Sequence, residues 1–190
     1  MRISGGGARG IPLTVPKGDL VRPATDGLRQ AVFSSLAARI PGAQFLDLFA
    51  GSGAYGLEAL SRGAAGGVFV EKSPKAADCL RNNLAAVCKS LNRGLDGVEI
   101  RQADALTASL EIGGAFPTLI FIDPPYEIIP EVAPRLFARF DASLADAPSP
   151  DTVVIFEAPG ELELAPAGWT CIKRLGKGGR QPTASFFRKG

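Results

Sequence analysis

Four carboxylates, a glycine cluster and a double proline hold most of the chemistry open to this sequence. Asp123-Pro-Pro-Tyr126 is the most specific of these signals. Two consecutive prolines fix the backbone and delete two amide donors, so the Pro124 carbonyl can point outward with no donor competing beside it. Asp123 adds a second acceptor, Tyr126 offers a flat face on which a base can stack, and Pro125 completes the turn toward a substrate. This set suits methylation of an exocyclic amine on a nucleobase. Such a nitrogen is a poor nucleophile, because its lone pair is delocalised into the ring. Hydrogen bonds from its two N–H groups to Asp123 and the Pro124 carbonyl favour a pyramidal nitrogen and stabilise the positive charge developing on it. The competing reading of the same four residues is a tight turn with a half-buried tyrosine and no function.

Gly51-Ser-Gly-Ala-Tyr-Gly56 matches G-x-G-x-x-G between an apolar run and a helical segment, which predicts a strand-to-helix turn that a ligand can approach closely. Gly51 and Gly53 are the candidate ligand-facing positions. Glu71 follows 20 residues after Gly51, at the end of the next apolar run, where a carboxylate can accept from both hydroxyls of a ribose. These features fit NAD and S-adenosyl-L-methionine equally. Asp47 separates the two, since a carboxylate so near the turn repels a pyrophosphate and attracts the α-ammonium of a methionine moiety. Asp104, in QADAL, is placed to accept from an adenine 6-amino group, with the Ala105 amide at the ring edge. A plain helix cap is the alternative for Asp104.

Composition removes several other chemistries. The chain has no histidine, which excludes His-based triads and His general bases within it and, with no grouped cysteines, argues against a metal site. Cys79, Cys88 and Cys171 form no CxxC pair and read as reduced, small apolar groups, with none placed as a ring-attacking nucleophile. No stretch approaches the roughly 20 apolar residues needed to span a bilayer. The opening MRISGGGARGIPL lacks the apolar core of a secretory signal, so the expected address is the cytoplasm. The net charge of +2 is unevenly spread: residues 1–30 and 172–190 together carry +9 and residues 31–171 carry −7. Basic ends around an acidic middle predict a polyanion surface built from both termini, with Arg2, Arg9, Arg22, Lys177 and Arg180 as contacts. Solubility charge explains the same distribution without a partner.

The elements that must position these residues alternate. At 190 residues the chain fits one domain, 1–190, with a basic hairpin or arm over 1–20 and a catalytic core over 21–190. A helix opens near Pro23, capped by Thr25 or Asp26, carries Leu28, Val32, Leu36 and Ile40 on one stripe, and stops at Pro41-Gly42. Strands follow at 44–50, 68–71, 98–102, 118–123 and 152–157. Helices are predicted at 53–62, from Ser73-Pro74 to about Leu91, and at 131–144. Two final strands, 169–175 and 183–188, flank a glycine-rich turn with no helix between them. This is an α/β pattern, a doubly wound and mostly parallel sheet with an antiparallel edge. Asp47, Glu71, Asp104 and Asp123 then fall at four consecutive strand ends, on the edge where such sheets bind ligands.

DLFAGSGAYGLEALSRGA (47–64), FVEK (69–72) and FIDPPY (121–126) resemble the bacterial family that methylates a guanine N2 in small-subunit ribosomal RNA (RsmD-like). MRISGG…RG…L and RPATDGLRQAVFSSL (22–36) are similar to that family's N-terminal hairpin and first helix, so the likeness spans nearly the whole chain. Gly27 and Gln30 depart from the Arg and Glu common there, and GRQPTASFF departs from its tyrosine-containing turn. The resemblance implies a class I methyltransferase fold with a seven-stranded sheet, S-adenosylmethionine as donor, and ribosomal RNA as substrate in an assembling small subunit. It implies that Asp47, Gly51, Gly53, Glu71 and Asp104 hold the cofactor while Asp123, Pro124 and Tyr126 hold the guanine, with no metal. An adenine-N6 or cytosine-N4 amino-methyltransferase, an NAD-linked oxidoreductase and a catalytically idle RNA-binding protein are the alternatives.

Overall fold

The computed structural model describes residues 1–16, 23–144, 151–179 and 181–190, so Arg22 and Arg180 lie outside the described residues. Its elements are α1 (Pro23–Ser35), β1 (Gln44–Leu48), α2 (Ala54–Ser61), β2 (Gly66–Val70), α3 (Pro74–Ser90), β3 (Val98–Arg101), β4 (Leu119–Ile122), α4 (Ile129–Leu144), β5 (Val153–Pro159), β6 (Trp169–Leu175) and β7 (Pro182–Lys189). They build one seven-stranded sheet in the order β3-β2-β1-β4-β5-β7-β6. β1 to β5 run parallel, and β7 pairs antiparallel with both β5 and β6. Strands buried on both faces read as uninterrupted apolar runs, which is why LIFI and VVIF were legible as strands.

The two faces of the sheet carry separate cores. On one, Phe33 of α1, Tyr55 and Leu57 of α2 and Leu80 and Leu84 of α3 pack on Phe45, Phe69, Phe121 and Ile155. On the other, Leu136, Phe137 and Phe140 of α4 pack with Trp169 on Ile120, Val154, Phe156 and Phe187. Leu28, Val32, Leu36 and Ile40 are all buried, as their spacing predicts. The helix itself starts earlier and ends sooner than expected. It opens at Pro23, whose fixed φ suits a first helical position, so Thr25 and Asp26 sit inside the first turn and neither is the cap. Ser73 does cap α3, accepting from the Ala76 amide.

The N-terminal arm is a hairpin laid along α2. Ile3 and Ile11 are joined by a backbone hydrogen bond, and Arg2 bridges Pro12. Its anchor is Glu58, which has no exposed surface and accepts from the Ser4 amide (2.8 Å), the Ser4 hydroxyl (2.7 Å) and Arg62 Nε (2.8 Å). At the far end the Ala8 amide donates to Ser61 Oγ. The open end is tied to α3 instead, where Asn83 both accepts from the Thr14 amide and donates to the Thr14 carbonyl.

Candidate active site

A cleft of about 980 Å³ opens at the carboxyl edge of the parallel strands. Asp47, Glu71, Asp104 and Asp123 all line it, each from a different strand end, so the acids spaced widely in sequence converge. Gly51, Ala105, Pro124, Pro125 and Tyr126 line it too.

The chain reaches this edge through a strained corner. Phe49 adopts φ 61, a left-handed backbone that costs a side-chain-bearing residue about 1–2 kcal/mol. The corner lets the Ala50 amide donate to the Val70 carbonyl (3.0 Å) and the Gly51 amide to Glu71 Oε2 (2.8 Å). Nothing about a phenylalanine signals such a conformation, so Phe49, which also lines the cleft, was missed from sequence.

The three glycines of the motif divide their work. Gly51 (φ 55) faces the cleft, and a Cβ there would meet only the Phe49 carbonyl, at 4.0 Å. Gly53 does not line the cleft. It caps α2 in a left-handed conformation (φ 84), and a Cβ there would come within 2.3 Å of Leu80 Cδ1. Gly56 is wedged between Phe69 and Phe45. The expectation that Gly53 faces a ligand is therefore corrected, because its missing side chain makes room for α3.

Asp47 is buried, and its Oδ2 accepts from the Gly56 amide at 2.9 Å. Burial pushes its carboxyl up to about 7, and the Glu71 charge adds to the rise while the Gly56 hydrogen bond opposes it. Glu71 accepts from the Gly51 amide through Oε2 and from the Ser73 amide (2.6 Å) through Oε1, which fixes its orientation beside the glycine turn. Asp104 accepts from the Leu106 amide and from Lys72 Nζ (2.9 Å), and these hold its carboxyl below the ordinary range, the amide contributing most. No helix follows Asp104, so it is not a helix cap: its carboxylate closes a turn through the Leu106 amide and lines the cleft. The Ala105 carbonyl is tied down by Arg139 Nη1 (2.9 Å).

Pro124 is buried, Asp123 and Pro125 are exposed, and Tyr126 is half-buried at the start of a single 3₁₀ turn, Tyr126–Ile128. Two further residues join them from the other side. Tyr55 of α2 stacks on Phe121 and donates its hydroxyl to Glu157 Oε2 at 2.6 Å. Burial, followed by the charges of Glu157 and Asp123, pushes the Tyr55 hydroxyl well above its ordinary range, so it keeps its proton. Arg29 of α1 also reaches the cleft, donating to the Arg2 carbonyl and to Asp26. A fifth acid closing an apolar run, in VVIFEAP, was the available signal for Glu157.

Among the described residues, the basic ends do not form one surface. The β6–β7 turn carrying Lys177 sits at the carboxyl edge of the sheet, because Pro182 pairs with Pro159 at the end of β5 and the Gly160 amide donates to the Gln181 carbonyl, but none of its described residues lines the cleft. Arg188 and Lys189 lie at the opposite edge, where they pair with Asp151 and Asp141. Arg2 adjoins Met1, which lines the cleft mouth. Arg9 does not share that position: it follows Ala8 at the far end of α2. The polyanion surface expected from both termini is therefore reduced by the neutralised C-terminal pair and by the remote hairpin tip. Among the described residues, no three His, Cys, Asp or Glu side chains group to hold a metal ion, and no helix is long and apolar enough to cross a membrane.

The family model described as conserved hypothetical protein 95 matches residues 1–183. The chain belongs to that family, the RsmD-like one its motifs resemble. It is 40% identical over 126 residues to ribosomal RNA small subunit methyltransferase D of Escherichia coli (strain K12), a match covering 66% of this chain and 60% of that relative. A solved hypothetical protein from Thermus thermophilus superposes with a TM-score of 0.73 at 31% identity, over 98% of each chain. An RNA methyltransferase from Salinibacter ruber, solved with S-adenosyl-L-homocysteine, is 19% identical with a TM-score of 0.59 over 84% of this chain and 88% of its own, and shares the fold. The sheet order and the single antiparallel β7 are those of the class I methyltransferase fold.

Proposed function

We propose that this protein is an S-adenosylmethionine-dependent RNA methyltransferase acting on the exocyclic N2 of a guanine in small-subunit ribosomal RNA, within an assembling subunit. The observation that carries this reading is the meeting of Asp123-Pro-Pro-Tyr126 with the Gly51 turn in one cleft. The names of its relatives point the same way.

The residues around the turn suit the cofactor. Gly51 leaves open space where a side chain would stand, Glu71 is oriented for ribose hydroxyls, and Asp47 offers a buried negative charge to an ammonium group. Asp104 and Ala105 would border the adenine. When bound, S-adenosylmethionine supplies an electrophilic sulfonium methyl. Asp123 and the Pro124 carbonyl accept the two N–H groups of the target amine, hold its lone pair toward that methyl and stabilise the positive charge that grows on nitrogen. Asp123 is also an acceptor for the proton the nitrogen then sheds. Tyr126 offers a stacking face to the base, and Pro125 shapes the turn. Arg2, next to the cleft-lining Met1, and Lys177, in the β6–β7 turn at the same edge of the sheet, would take phosphates.

The test is methylation of small-subunit particles from a strain lacking the enzyme, followed by nucleoside mass spectrometry. N2-methylguanosine is expected. N6-methyladenosine or N4-methylcytidine would move the assignment to another amine, and NAD binding without S-adenosylhomocysteine binding by calorimetry would remove it from methyl transfer.

A further inference from the structure

Asp123 and the Pro124 carbonyl recognise an amine, yet adenine, cytosine and guanine all carry one. What differs is the ring nitrogen beside it. In adenine and cytosine that neighbour is a bare acceptor, whereas guanine N1 carries a hydrogen and is a donor. A residue that accepts at this position would select guanine.

Glu157 occupies the place from which this can be done. β4 and β5 pair in parallel as far as Ile122 with Phe156, so Asp123 and Glu157 are the next residues on adjoining strands. Neighbouring strands are about 4.8 Å apart, so the two side chains start side by side and can converge on adjacent groups of one base edge. Both carboxylates line the same cleft, and both charges are felt by the Tyr55 hydroxyl. Glu157 is only 3% exposed, and Tyr55 donates to its Oε2 at 2.6 Å, which fixes the direction of its carboxylate at the cleft wall. Guanine has the matching pair on its edge, an amine with a ring N–H beside it.

We propose that Glu157 is the base-selecting residue, its carboxylate accepting guanine N1–H while Asp123 and Pro124 accept the N2 amine, and that Tyr55 is a positioning residue that orients it. Discrimination is both attractive and repulsive. A carboxylate facing the bare ring nitrogen of adenine or cytosine opposes two lone-pair-bearing acceptors, which disfavours those bases even though their amines fit the tetrad. The inference rests on the proposed guanine-N2 activity.

The experiment compares guanine with 2-aminopurine, which keeps the 2-amino group but lacks both the N1 hydrogen and the 6-oxo group, so the change in preference on substituting Glu157 isolates the N1 contact. Small-subunit particles are reconstituted with RNA carrying either base at the nucleotide the wild-type enzyme methylates, and kcat/KM is measured for each. Wild type should prefer guanine by about 10²-fold or more, as sites built around a substrate N–H do. Glu157→Gln keeps an oxygen for Tyr55 but turns an N–H toward the base, so it should shrink that preference at least tenfold, with the Kd for S-adenosylhomocysteine unchanged. A folded Glu157→Gln protein with the wild-type preference overturns the inference while leaving the guanine-N2 reading intact. Failure of wild type to form N2-methylguanosine on the guanine particles overturns both. If Glu157→Gln does not fold, Tyr55→Phe takes its place: a narrowed preference supports the inference, and an unchanged one defeats it.

Discussion

The buried Asp47 makes a prediction that needs no RNA. Its carboxyl is carried from 3.8 to about 7, chiefly by desolvation. At about 1.4 kcal/mol per tenfold change in proton affinity, ionising it inside the folded protein costs on the order of 4 kcal/mol. The folded state therefore holds a proton between these two values that the unfolded chain has released. Stability falls as pH rises across that interval, and the loss is complete above about pH 7. Asp47→Asn keeps an acceptor for the Gly56 amide and removes the charge. It should raise the stability of the unliganded protein at pH 8 by a few kcal/mol and change little at pH 4.5, as read by urea denaturation. The same variant should bind S-adenosylhomocysteine more weakly, because the ammonium loses its counter-charge. Since the ligand binds the ionised form, wild-type binding at pH 7 should release about half a proton, measured by calorimetry in buffers of different ionisation heat. Equal stability of wild type and Asp47→Asn at pH 8 would refute the reasoning, since it would mean that the carboxylate ionises at no cost.

The divided glycine roles predict that Gly53→Ala, with its Cβ 2.3 Å from Leu80 and φ 84, loses about 2–3 kcal/mol, whereas Gly51→Ala loses about 1 kcal/mol from its backbone alone. Equal losses in chemical denaturation would contradict that division. Removing the hydroxyl in Tyr55→Phe strips a buried carboxylate of a 2.6 Å donor and should cost about 1–3 kcal/mol in the same assay. Glu58→Ala frees the Ser4 amide and hydroxyl and leaves Arg62 and Arg29 without their buried counter-charge. A loss of about 3–5 kcal/mol is expected, with earlier proteolytic cleavage of residues 1–16, and an arm as protected as in wild type would remove Glu58 as its anchor. Arg188→Ala should leave the salt dependence of RNA binding unchanged, because that charge is already paired on the far edge, whereas Lys177→Ala should lower the log–log slope by just under one.

Periodicity and punctuation exposed most of the fold. FLDL, LIFI and VVIF are runs too short for helices, and Ser73-Pro74 marks a boundary the chain respects, whereas α1 ends at Ser35, well before Pro41-Gly42. The four acids at strand ends were legible for the same reason, since a buried strand that closes on a carboxylate signals an edge where something cationic or donor-rich must meet it. Other features depend on what lies across space. Arg188 and Lys189 read as free cations until β7 brings them to Asp151 and Asp141. Glu58 looks like an exposed helical acid until the arm covers it, and Gly53 looks like a ligand contact until α3 is packed against it. Phe49 has no local signal at all, because its left-handed backbone is imposed by the need to join β1 to Glu71 across the sheet edge.

The cleft's charge says how a nucleic acid would have to enter it. Among the described residues, Asp47, Glu71, Asp104, Asp123, Glu127, Glu131 and Glu157 line it against Arg29, Lys72 and Lys75, and Lys72 pairs with Asp104. A phosphate carried into that space would face several carboxylates at short range, each interaction worth about 1–4 kcal/mol at the dielectric of a protein surface. A nucleobase has no such penalty, since its exocyclic amine and ring N–H groups are donors that buried carboxylates need. An RNA substrate of the proposed kind would therefore keep its backbone outside the cleft and turn a single base inward. Enzymes that act on bases achieve this by extruding the target nucleotide, at a cost of a few kcal/mol that is least where the RNA is already single-stranded. On the proposed activity, the acids that accept the amine's hydrogens would also keep the phosphodiester chain out, and preference for an unpaired target would follow from the cleft's electrostatics before any sequence is read.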